Sequence, residues 1–242
     1  MTTIRLSAAA RADKGLSHQI AAWNWLQEQL TAAQVDEFAQ MFRADPEPKQ
    51  PLLQVQQGAV RGNPITVPWF SQLDSATDQG RRMCFSSSCA MMLATIRPGA
   101  ISGPNGDDQY LRRLQQYGDT TDAKAQIRTL SSFGIKATFT QAASFATIEQ
   151  QINRGIPVPC GYLHRGFISA PSGGGHWLCV VGYTATNLIV HDPFGEADLL
   201  TGATVAPTAR YCHYSRQNFG RRWMADGPGT GWAIIAQAPA DR

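Results

Sequence analysis

Cys84 opens the run Cys84-Phe85-Ser86-Ser87-Ser88-Cys89-Ala90-Met91-Met92-Leu93, in which a thiol stands at the threshold of an apolar helix. Apolar residues at Phe85, Cys89, Met92 and Ile96 recur at spacings of four, three and four, as one buried helix face requires. A helix start offers unpaired backbone N–H groups and the positive end of the helix dipole, and both favour a thiolate over a thiol. The three serines of the first turn are expected to accept from those N–H groups. A cysteine in this place can be a nucleophile. Taken alone, it is more often a small buried apolar residue.

A thiol nucleophile needs a base, and the base needs an orienting group. His176 opens an apolar β-rich run that ends at Tyr183, and Asp192 closes the next run, which begins at Asn187. A turn near Thr184 to Thr186 would make these the two strands of a hairpin. Their far ends then meet, so Asp192 can hold one imidazole nitrogen and leave the other for Cys84. The attacked carbonyl needs donors for its developing charge. The Cys84 backbone N–H is one. The side-chain amide of Gln72 or of Gln79 is the other. Trp69, Phe85 and Trp177 flank these positions and are expected to line a cleft, with core packing as the competing role for each. Arg165, in a loop over residues 164–175, is expected to grip a substrate carboxylate. A lone strand-edge histidine is usually structural; it is the combination of three residues, each at its expected place, that points to catalysis.

The remaining elements must position that combination. The 242 residues, 43% of them hydrophobic, suffice for one sizeable core and an extension. Ile20, Trp23, Leu26 and Leu30 stripe a first helix capped by Ser17. Val35, Phe38, Met41 and Phe42 stripe a second, behind a capping box at Thr31 to Gln34. An αα-hairpin is therefore expected over residues 1–45, followed by a proline-broken linker over 46–64 and the main domain over 65–242. In that domain helices are predicted from Cys84 to about Arg97, from Asp107 to Tyr117, from a Thr121 cap to Gly134, and from a Ser144 cap to Gly155. Short strands are predicted from Ile135 to Thr140 and from Ile156 to Leu163. Helices first and strands later imply an α+β fold. Tyr214, Phe219, Trp223 and Trp232 predict a tail that closes onto the core.

Composition removes several function classes. A net charge of +3, with no Lys/Arg block, is no nucleic-acid footprint. No run reaches the length of a membrane span, so no membrane insertion is expected. The first fifteen residues carry Arg5, Arg11, Asp13 and Lys14 and lack the apolar core of a signal peptide, so a soluble cytoplasmic product is expected. Five cysteines without a CxxC pair argue against a disulfide framework and a zinc ribbon. His191, Cys212 and His213 do not have metal-site spacing. No metal and no cofactor are expected.

Val67-Pro68-Trp69-Phe70-Ser71-Gln72, Cys84 through Met91, Gly175-His176-Trp177-Leu178-Cys179-Val180-Val181-Gly182-Tyr183 and His191-Asp192-Pro193 resemble, in order and spacing, the C39-like cysteine peptidases of papain-like fold. The resemblance spans roughly residues 65 to 200. It implies Cys84 as nucleophile, His176 as base, Asp192 as orienter and Gln72 as oxyanion donor. Phe85-Ser86 departs from the Gly-Pro common in that family, and Phe85 is expected to shape a substrate pocket. His164-Arg165-Gly166, Phe194-Gly195-Glu196, Tyr214-Ser215-Arg216 and Arg222-Trp223-Met224 also resemble stand-alone bacteriophage proteins of the endolysin type. That likeness implies a cysteine endopeptidase acting on stem peptides or cross-links of peptidoglycan after holin-type release. No motif sets the oligomeric state, and a monomer is expected. A C39-like protease of protein substrates, and a papain-like binding module without turnover, are the alternatives.

Overall fold

The computed structural model describes residues 62–237. The helical hairpin expected over residues 1–45 and most of the linker lie outside the described residues. Two short 3-10 turns, Gln72–Asp74 and Gly80–Arg82, lead into helix α1, Cys84–Ile96. Then come α2 (Gly106–Leu114), α3 (Ala123–Ser132), β1 (Ala137–Ala143), α4 (Phe145–Asn153) and β2 (Val158–Tyr162). The second half adds β3 (His176–Tyr183), β4 (Asn187–Asp192), the small pair β5 (Glu196–Ala197) and β6 (Thr204–Ala206), β7 (Ala209–Ser215), α5 (Arg216–Trp223) and β8 (Gly231–Ala236). Mixed helices and an antiparallel sheet are what the order of the sequence predicts.

Every residue of α1 from Phe85 to Ala94 is buried. A helix that is apolar or small on all sides belongs in the interior. Met91, Met92 and Leu93 are wholly enclosed, and such burial stabilises the fold by about 1.5–3 kcal/mol per side chain. The helix packs on β3 and β2 and against α2. Phe85 lies flat on Trp177 of β3, with ring centroids 3.6 Å apart and planes 6° from parallel. This stack locks the first turn of α1 to the start of β3.

The six-stranded sheet has the order β1-β8-β2-β3-β4-β7, and its pairs are antiparallel. Periodicity suggests β3 and β4 as neighbours, and they are. The Thr184 hydroxyl closes their turn by accepting from the Thr186 and Asn187 amides, at 3.3 and 2.9 Å. The tail folds as expected, but β8 enters between β1 and β2, a non-local placement that no sequence period encodes. Several predicted boundaries shift: α2 ends at Leu114 rather than Tyr117, and β2 is confined to Val158–Tyr162. Asp122, not Thr121, caps α3, its carboxylate accepting from the Lys124 amide at 2.8 Å. Thr121 instead donates its hydroxyl to Asp119. β1 begins at Ala137 and runs to Ala143, beyond the predicted end. Ser144 caps α4 in a reciprocal capping box with Thr147.

Candidate active site

Cys84 is the first residue of α1 and is partly exposed. Its amide is among those that helix geometry leaves without an intrahelical acceptor. The serines behind it do not act as expected. Met83 precedes the helix with no side-chain cap. Ser86 donates back to the Met83 carbonyl at 3.0 Å and shares a hydrogen bond with Thr120 at 2.7 Å. Ser87 donates to Asp107 at 2.6 Å. Ser86 and Ser87 thus tie the helix start to Thr120 and Asp107, because they are buried where tertiary partners compete with the backbone, while the buried Ser88 hydroxyl has no partner among the described residues.

His176 begins β3 and Asp192 ends β4. Register pairs Cys179 with His191 and Val180 with Val190, so the two strand termini lie side by side. His176 Nε2 and Asp192 Oδ1 are 2.7 Å apart, with the side chains 12% and 1% exposed. Asp192 Oδ1 also accepts from the Phe194 amide at 2.9 Å, and Oδ2 accepts from the buried Tyr162 hydroxyl at 3.3 Å. Tyr162 is the register partner of His176 on β2. Tyr162 and Phe194 meet the imidazole edge-on, with centroids 5.6 and 6.1 Å away. The ring is thus boxed as well as bonded. Burial opposes its charge. The Asp192 carboxylate, the neighbouring Cys84 sulfur and the hydrogen bond to Asp192 outweigh that and raise the His176 pKa to about 10. With Nε2 held by Asp192, Nδ1 is the nitrogen left for the thiol.

The other cysteines differ in kind. Cys89, Cys160 and Cys179 are buried, and burial pushes their thiols well above the ordinary value. Cys212, half-buried beside Glu196, is pushed up to about 12. No histidine is among the groups that shift these four thiols. His191 faces away from the site, fully buried against Tyr211 at 4.4 Å, and burial lowers its pKa to about 4. Among the described residues no group of three His, Cys, Asp or Glu could hold a metal.

The structure separates the two glutamines that sequence leaves as alternatives. Gln72 is 1% exposed. Its amide nitrogen donates to the Gly80 carbonyl at 2.6 Å, in the turn that delivers Cys84, and its backbone N–H donates to Pro193 at 2.9 Å, next to Asp192. Gln72 is therefore tied to both halves of the site. A second hydrogen remains on its amide nitrogen. Gln79 instead bonds Asp78 and Arg82, outside that junction.

The four expected substrate-contact residues fare differently. Trp69 is half-buried and donates to the Asp192 carbonyl at 3.1 Å, so it braces the orienting residue. Phe85 and Trp177 use their faces on each other and are only 2% and 8% exposed. This corrects the expectation that they line a cleft: they are core residues whose chain neighbours are Cys84 and His176. Arg165 is exposed in the loop, with its Nε donating to His164 Nε2 at 3.2 Å. Three contributors were not singled out for a role: Tyr162, His164 and Arg222. The His164 ring lies 5.8 Å from that of His176. Burial, then the charges of His176 and Arg165, lower its pKa to about 4, so it stands neutral beside the imidazolium.

Residues 64–227 match the model of the Peptidase_C39 like family. No curated protein sequence matches the chain. Among solved structures, a Bacillus anthracis protein described as a C39-like peptidase aligns at 14% identity with a TM-score of 0.51, covering 74% of this chain and 100% of that one. The peptidase domain of Streptococcus ComA, a bi-functional ABC transporter of a quorum-sensing pathway, aligns at 18% identity with a TM-score of 0.44, over 66% of this chain and 93% of that one.

Proposed function

The chain belongs to the C39-like peptidase family and is a cysteine peptidase, and from that premise we propose that it hydrolyses peptide bonds of bacterial peptidoglycan through an acyl-enzyme on Cys84, in a papain-like arrangement. The observation that carries the catalytic part is the 2.7 Å contact of His176 with Asp192, with Cys84 among the groups that raise the imidazole's pKa. In this reading His176 takes the thiol proton and later gives it to the leaving amine, while Asp192 holds the ring and stabilises its charge. The Cys84 amide and the free hydrogen on Gln72 Nε2 stabilise the tetrahedral oxyanion. Water then attacks the thioester, with His176 as base.

The peptidoglycan substrate rests on the resemblance of the loop and tail motifs to phage endolysin-type proteins. A weakly positive chain also suits an anionic wall. On this reading the enzyme is made soluble and reaches the wall through a holin-type lesion. Digestion of purified sacculi by wild type and by Cys84→Ala, with released muropeptides analysed by mass, tests it. Release by wild type alone is expected. Absence of release from an enzyme whose Cys84 still alkylates rapidly would move the substrate to a protein.

A further inference from the structure

Arg222 of α5 is 1% exposed, and no carboxylate among the described residues pairs with it. Its guanidinium faces main-chain carbonyls instead. Nε donates to Leu199 at 2.6 Å, one terminal nitrogen to Leu163 and Arg165 at 3.0 and 3.1 Å, and the other to Gly166 at 2.7 Å. Four of its five N–H donors are thus accounted for. The Arg222 carbonyl accepts in turn from the Leu163 amide at 3.0 Å, so residue 163 is held from both sides. A buried cation satisfied by four carbonyls of two loops is a costly device for mere packing.

Both loops border the site. Leu163 follows Tyr162, the register partner of His176, and the next ring, His164, lies against the His176 ring. Arg165 and Ser172 exchange backbone hydrogen bonds at 3.0 and 2.9 Å, which closes the loop on itself. Ile168 donates to the Leu200 carbonyl at 2.8 Å and joins the two loops. Gly202 completes the joint: a Cβ there would come within 2.7 Å of the His164 carbonyl. The joined loops hold Phe167 and Leu200 out to solvent, 69% and 50% exposed.

We propose that Arg222 is a positioning residue that fixes the cleft wall beside His176 through the carbonyls of residues 163–166, and so governs how a peptide is seated rather than how the sulfur is activated. This rests on Cys84 and His176 being the reactive pair. Arg222 touches neither; its influence passes through His164. Arg222 also lines a cavity of about 160 Å³, together with Trp223 and Trp232. A small planar cation therefore has room to reach the place of a truncated side chain.

Arg222→Ala and Arg222→Lys test the proposal in the full chain, with three readouts: iodoacetamide alkylation of Cys84, hydrolysis of sacculi or labelled casein (whichever wild type cleaves), and amide exchange. Both variants should alkylate at the wild-type rate. Both should lose about 10²-fold in kcat/KM, the loss appearing mainly in KM, since displaced positioning groups cost on that order. Exchange should quicken at Arg165, Ile168 and Ser172 and stay unchanged at Val180 and Val190. Millimolar guanidinium should restore turnover to Arg222→Ala and leave wild type unaffected. Wild-type hydrolysis in both variants, alkylation falling in step with hydrolysis, or no rescue would overturn it. Should Arg222→Ala fail to fold, the Lys variant and its exchange pattern decide. Wild-type Cys84 no more reactive than a free thiol would instead refute the catalytic reading, which is a separate outcome.

Discussion

Two buried carboxyl groups reach the start of α1, one through a serine and the other through an imidazole. Asp107, at the start of α2, is wholly enclosed, accepts from Ser87 and has an oxygen with no partner. Burial raises its pKa to about 6; the Ser87 hydrogen bond works against this, while the charges of Asp108 and Asp74 add to it. Asp192 is equally enclosed but has the His176 cation at 2.7 Å, with the Tyr162 hydroxyl and the Phe194 amide completing its shell. The difference lies in the company and not in the depth. A carboxyl given only a hydroxyl drifts toward its neutral form, whereas one given an imidazolium can hold a charge pair beside a thiol. The first arrangement anchors a helix; the second can run chemistry.

The contrast breaks most visibly when the chemical side is removed. Cys84→Ala should abolish hydrolysis, and His176→Ala should lower kcat by at least about 10³-fold, with unchanged far-UV circular dichroism. Asp192→Asn should follow, losing about 10³–10⁴-fold in kcat as the imidazole loses its anionic partner. Asp107→Asn, of the same size and burial, should keep kcat near wild type. Equal losses in the two Asn variants, measured on one substrate, would erase the distinction. Gln72→Ala is expected to cost about 10²–10³-fold in kcat while Cys84 alkylation stays intact, with Gln79→Ala close to wild type.

The smallest effects are on stability against pH; they share a sign and differ in their pH windows. In the unfolded chain Asp107 ionises from its ordinary 3.8, and in the folded chain only near 6. Between these values the folded state binds more protons, so stability falls as pH rises through that window. Asp107→Asn should flatten this part of a Tm-against-pH curve. His176 goes from an ordinary 6.5 to about 10 on folding. Its contribution is complete below about 6.5 and is lost as pH climbs through 10. His176→Gln should remove that alkaline fall and leave the acidic one. Parallel curves for wild type and both variants would contradict the assignments.

Much of this site is legible in the sequence because its logic is local. A cysteine before an apolar helix and two residues at the open ends of a hairpin are fixed by periods of 3.6 and 2, and Cys84, His176 and Asp192 fall where those periods put them. What is not legible depends on tertiary partners. Ser86 and Ser87 are good first-turn residues by type, and only the arrival of Thr120 and Asp107 diverts them. Phe85 and Trp177 neighbour reactive residues in the chain, but residue type does not say whether an aromatic faces a cleft or another ring. Arg222 stands in a stretch quoted for a family likeness, but nothing there shows its role, since its partners are carbonyls scattered from residue 163 to residue 199. The family likeness implies Gln72 as the oxyanion donor; that Gln72 bridges Gly80 and Pro193 while Gln79 does not depends on tertiary partners.

The most direct test is the rate at which iodoacetamide alkylates Cys84 across pH 5 to 8, in wild type, His176→Ala and Asp192→Asn. An activated sulfur beside an imidazolium predicts wild-type alkylation faster than that of a free thiol at the acidic end, and a large loss there in both variants. A wild-type rate that climbs with pH as a free thiol does, and that neither substitution alters, would contradict the account.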